Sequence, residues 1–107
     1  MIFPMNAPMF DLLVLSVTDK EDAYGYQLSQ IIKKVSNTKD STLYPVLKRL
    51  QEQGFLTVYD QSYQGRNRRY YQITEAGRQR YQMLSENWNL YRDSIDLIVR
   101  TGGINHE

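Results

Sequence analysis

At 107 residues the chain has room for one domain. It has no cysteine, and its one histidine, His106, is next to last. That rules out a disulfide framework, thiolate zinc sites and thiol catalysis, and it leaves nothing for an imidazole-based metal centre.

Net charge is only +1, but it is unevenly spread. From Tyr24 to Arg69 eight basic residues face three acids, a balance of +5, and the rest of the chain carries −4. Such a middle is either a surface for a polyanion or an ordinary solvated one. The longest apolar run, Leu12 to Leu15, is too short to span a membrane. No basic region precedes an apolar core at the N-terminus, so a cytoplasmic protein without a signal peptide is expected.

Residues 1–8, with two prolines, read as an irregular arm. A first helix is predicted from about Pro8 to Val17, with Phe10, Leu13, Val14 and Val17 on one face and Leu12 and Leu15 on the other. A helix apolar on two sides needs two covers, one of which can be a partner subunit. Asp22 is positioned to cap a second helix running to about Ser36, with Tyr24, Leu28, Ile31, Ile32 and Val35 as its stripe. After a turn over Ser36 to Asp40, a third helix extends to about Gln53, followed by Gly54 as its terminator. Leu43, Val46, Leu47 and Leu50 face its core side. Pro45 cannot donate to the Ser41 carbonyl, so the helix either begins near Ser41 or is kinked in its first turns.

Phe55–Tyr59 and Arg69–Ile73 are rich in β-branched and aromatic residues, and the polar stretch Asp60 to Arg68 lies between them. They predict a β-hairpin with a mobile basic tip. Thr74 caps a final helix that reaches Thr101 and ends at Gly102-Gly103. Along it Tyr81, Leu84, Trp88, Tyr91, Ile95 and Ile98 are spaced 3, 4, 3, 4, 3, a heptad seam. Leu84, Trp88, Tyr91, Ile95 and Ile98 are the expected dimer contacts.

Three short helices and a hairpin make a winged helix-turn-helix, a mainly α fold. Here it spans 1–73, followed by a dimerisation helix and tail over 74–107. The third helix would enter the major groove of duplex DNA. Its front offers Lys39, Ser41, Thr42 and Tyr44, then Lys48 and Arg49, groups suited to phosphates and base edges. Arg66, Asn67, Arg68 and Arg69 of the wing reach a minor groove or its phosphates. Tyr24 is either core or contact, Tyr26 lies off the apolar stripe and faces phosphate, and Tyr44 either packs or binds. Of Tyr70 and Tyr71, one faces the core and the other solvent or DNA.

Tyr24-Gly25-Tyr26-Gln27-Leu28, Ser41-Thr42-Leu43-Tyr44-Pro45-Val46-Leu47-Lys48-Arg49-Leu50, Gly54-Phe55-Leu56, Gly65-Arg66-Asn67-Arg68-Arg69-Tyr70-Tyr71 and Ile73-Thr74-Glu75-Ala76-Gly77 together resemble the PadR-like transcriptional regulators in their short form. The likeness covers residues 10 to 99. Ser41 stands where the family commonly has glycine or alanine, and Asn67 where proline is frequent. The resemblance implies a homodimeric repressor on a palindromic operator, with DNA contacts at Tyr24, Tyr26, the front of the third helix and Arg66 to Arg69. It also implies a site at the dimer centre where Trp88 stacks on a small flat aromatic or cationic effector, lined by Leu12, Tyr81, Trp88 and Arg92. The plainer reading of Trp88 is an apolar anchor.

No cofactor is expected. An enzyme finds no support, since no glycine-rich phosphate loop is present and Asp93 and Asp96 read as solvated. A winged-helix interaction module without DNA binding is the other alternative, and the basic wing argues against it.

Overall fold

The computed structural model describes residues 5–104, so His106 lies outside it. The elements are α1 (Ala7–Lys20), β1 (Ala23–Tyr24), α2 (Gly25–Ile32), α3 (Asp40–Glu52), β2 (Leu56–Tyr63), β3 (Arg66–Ile73) and α4 (Glu75–Thr101). They form a winged helix-turn-helix body, with an antiparallel sheet in the order β1-β3-β2, and a long C-terminal helix.

The Asn6 side chain starts α1 by accepting the Met9 amide proton at 3.1 Å, and Pro8 falls in the first turn, where no donor is missed. The helix runs past the expected Val17, with the Thr18 hydroxyl donating to the Val14 carbonyl. The second helix differs more. Asp22 does not cap it; its carboxylate accepts the Tyr59 hydroxyl at 2.6 Å. Ala23 and Tyr24 pair with Tyr71 and Tyr70 as a short strand, and the helix begins only at Gly25, where the Gln27 side chain accepts the Tyr24 amide. It ends early, in tight turns from Lys34 to Ile31 and from Val35 to Ile32. Leu28 and Ile32 are therefore buried, while Ile31 and Val35, expected on the core stripe, are exposed.

Lys39 is the N-cap of α3, so the helix starts one residue before Ser41, and Pro45 lies inside it. Gly54, at φ +81°, ends the segment in the left-handed region. Leu43, Leu47 and Leu50 meet Val14, Leu15 and Leu28 at the centre of the core, all at most 1% exposed. Burying each contributes roughly 1.5–3 kcal/mol.

The hairpin is the clearest departure. Its ladder continues through Asp60↔Arg69, Gln61↔Arg68, Ser62↔Asn67 and Tyr63↔Arg66, so most of the expected loop is strand. The turn has only two residues, Gln64 and Gly65, both with positive φ, as a type I′ turn requires.

The Thr74 hydroxyl caps α4 by accepting the Gly77 amide proton and donates to the Gly54 carbonyl at 2.6 Å. A Cβ on Gly77 would sit 2.2 Å from the Phe55 carbonyl oxygen, so this close approach of helix to turn needs glycine. The first half of α4 packs on α1 and the core. From Asn89 to Ile104 every residue is exposed. Gly102, at φ +76°, caps the end. Among the described residues no helix is long and apolar enough to cross a membrane.

Candidate nucleic-acid interface

Burying Leu43, Leu47 and Leu50 turns the opposite side of α3 outward. Ser41, Thr42, Tyr44 and Lys48 are all exposed there, with Lys39 at the N-cap. Asp40 sets the entry of this helix. It accepts a 2.6 Å hydrogen bond from the buried Ser29 hydroxyl on α2 and lies 3.5 Å from the Lys33 ammonium. The Ser29 bond, above all, holds the Asp40 carboxyl below the usual carboxylate range.

Beside this front, β1 leaves β3 at Gly25 to become α2, and the edge of β3 at Arg69 and Arg68 is left uncovered. The gap is an open cavity of about 420 Å³ lined by Tyr24, Gly25, Tyr26, Tyr44, Arg68, Arg69 and Tyr71. Tyr26 is 63% exposed at its rim. The Tyr44 ring lies so close to Gly25 that a Cβ there would meet it at 3.1 Å. Two arginines and four tyrosines beside a helix start offer an anion a cationic seat with aromatic walls.

The wing residues separate by face. Arg66, Arg68 and Tyr70 alternate with Asn67, Arg69 and Tyr71 along β3, so the four expected wing contacts do not form one patch. Tyr71 is the core member of the tyrosine pair, and burial pushes its phenol pKa up. Tyr70 stacks on Tyr59 and meets Tyr24 edge-on. Arg69 lies 3.6 Å from Asp60 across the hairpin. Arg68 has its guanidinium 4.3 Å from the Tyr24 ring centre and 4.1 Å from that of Tyr63. Arg66 and Asn67 are exposed beside the turn.

Two expected assignments need correction. Arg49 does not face outward with Lys48. Its guanidinium makes two contacts with the carboxylate of Asp11 on α1, one of them 3.1 Å long, and reaches Gln53 as well. The Asp11 side chain is only 6% exposed, so Arg49 neutralises a buried acid. Leu84, expected on the dimer seam, is 8% exposed and belongs to the core of the chain. The exposed seam begins lower, at Tyr91, Ile95 and Ile98. Of the expected effector-site residues, Leu12 is in the core, Tyr81 and Trp88 pack half-buried against it, and the Arg92 guanidinium lies 3.4 Å from Asp93. Trp88 and Tyr91 are neighbours, with ring centres 6.5 Å apart.

Sequence reasoning missed Asp11 and Tyr63. A single acid amid the apolar residues of the first helix was a signal for the first, since a buried carboxylate demands a cation. Tyr63 could be placed only once the turn was known to have two residues.

Comparison with known proteins bears on the same surface. Residues 14–83 match the model of the transcriptional regulator PadR-like family. An uncharacterised protein of Lysinibacillus sphaericus is 34% identical over 95 residues, covering 83% of this chain and 86% of the relative. A crystal structure from Streptococcus mutans UA159 superposes with a TM-score of 0.92 at 42% identity, covering 100% of both chains. Bacillus subtilis PadR, solved in complex with operator DNA, superposes with a TM-score of 0.62 at 25% identity, over 67% of this chain and 44% of that one. The family model spans the chain from α1 into α4, and the L. sphaericus relative covers most of its length: the chain belongs to the PadR-like family of transcriptional regulators.

Proposed function

We propose that this protein is a homodimeric, sequence-specific DNA-binding repressor. Its α3 fronts enter successive major grooves of a palindromic operator with half-sites about 34 Å apart. The observation that carries this reading is the side-by-side placement of the exposed α3 front and the arginine-lined cavity. A helix in a groove reads base edges, and anion seats beside it hold the flanking phosphates that fix its register. Tyr26, Lys39, Ser41, Thr42, Tyr44, Lys48, Arg66, Asn67, Arg68 and Arg69 are assigned to DNA. Arg49 is left out because of Asp11.

Dimerisation is assigned to the outer half of α4. Tyr91, Ile95 and Ile98 are 62%, 43% and 57% exposed there, which is unusual for an apolar stripe unless a second copy covers it. A small flat aromatic effector, seated near Trp88 and Tyr81 with Arg92 at its edge, would release DNA by favouring one angle between subunits. Repression follows from a dimer occupying a promoter.

The test is binding to duplex DNA across a salt series, with sedimentation of the same sample. A dimer whose binding constant falls steeply with salt, by about 0.9 in log–log slope per phosphate contact, is expected. A monomer that ignores duplex DNA even in dilute buffer would overturn the reading and favour a protein-interaction module. Quenching of Trp88 fluorescence tests the effector site separately.

A further inference from the structure

We propose that Tyr63 is a positioning residue for DNA binding: with Tyr24 it clamps the Arg68 guanidinium so that its N–H groups are held ready to meet a backbone phosphate. This rests on the DNA-binding reading above. The Arg68 guanidinium lies over two rings, 4.3 Å from the centre of Tyr24 and 4.1 Å from that of Tyr63. Among the described residues no carboxylate pairs with Arg68, whereas Arg69 has Asp60. A half-buried cation resting against two rings and lacking an acid is poised for an anion from outside.

The clamp is anchored at one end. Tyr24 abuts Tyr70 edge-on at 5.6 Å, Tyr70 stacks on Tyr59 at 5.4 Å, and the Tyr59 hydroxyl is fixed by Asp22. This row of contacts ties the wing to the start of α2. At the other end Tyr63, the last residue of β2, is 47% exposed and lies outside the core cluster, so core packing does not explain a large ring there. Its position does. On a two-residue hairpin Tyr63 stands diagonally across from Arg68, close enough for a long side chain to reach it. A preformed guanidinium loses less freedom on binding than one swinging from a strand.

The experiment is a double-mutant cycle of operator or low-salt duplex binding with Tyr63→Ala, Arg68→Ala and the pair, plus Tyr63→Phe. Tyr63→Ala is expected to weaken binding about fivefold, on the order of one cation–π contact, and to make the salt slope shallower, towards that of Arg68→Ala. The pair should bind no more weakly than Arg68→Ala alone, and Tyr63→Phe should bind like the wild type. If the wild type binds but Tyr63→Ala is unchanged, or its loss adds fully to that of Arg68→Ala, the clamp is wrong and Tyr63 is either idle or a direct contact. If the wild type itself does not bind, the DNA-binding reading fails instead. Thermal melting of Tyr63→Ala, expected to match the wild type, separates positioning from folding.

Discussion

On the inner side of α3, Arg49 meets an almost inaccessible carboxylate, whereas Lys48, one residue earlier, reaches only Glu52, at 3.9 Å, with both side chains mostly in water. Neighbouring basic residues thus serve opposite ends. The inner one is part of what folds the domain; the outer one is available to a ligand. The same division runs through the glycines. Gly77 faces the Phe55 backbone, and Gly25 faces the movable ring of Tyr44. In a small domain the apolar stripe decides which cations are structural, because whatever lies on its border must find a partner before water is excluded.

Variants can break this contrast. Arg49→Ala should cost the most, about 3 kcal/mol in urea denaturation, because it leaves Asp11 buried and unpaired. Asp11→Ala should cost less, about 1–2 kcal/mol, because Arg49, already 37% exposed, can turn to water. Equal losses would show that the pair is not divided between inside and outside as described. Gly77→Ala should destabilise by about 2–3 kcal/mol, since a backbone carbonyl cannot step aside. Gly25→Ala should lose under about 1 kcal/mol of stability and yet weaken DNA binding by displacing Tyr44. Lys48→Ala should change stability by less than about 0.5 kcal/mol while removing about 0.9 from the salt slope.

The smallest effect concerns pH. The hydrogen bond to Asp22 pushes the Tyr59 phenol from its ordinary 10.0 up to about 12. A raised folded-state value means the contribution is complete below the ordinary value and is lost as pH rises through this window. Wild-type melting temperature should therefore fall more between those two pH values than that of Tyr59→Phe; parallel curves would remove Asp22 from the account.

The sequence announced the parts of the fold that obey a period. The leucines of α3, the cap at Thr74 and the stop at Gly102 were all legible, because burial and capping leave regular or local marks. What was not legible lacked such marks. Two residues, Ala23 and Tyr24, make a strand only because β3 lies alongside. The outer hairpin is wet on both faces, so polar residues follow one another without alternation and resemble a loop. Arg49 looked like its neighbour because its partner lies 38 residues away. The candidate interface was legible as a set of residues, but not in its geometry: the alternation along β3 splits a basic run into two faces, which no count of arginines foretells.

Every residue in the outer half of α4 is exposed, and helices with little tertiary support are marginal in water. Under the pairing proposed above, the order of that segment becomes a matter of mass action. Far-ultraviolet ellipticity should then decline on dilution well before the body melts. In a cell, how many copies are made would set not only occupancy of an operator but how much of each chain is structured at all.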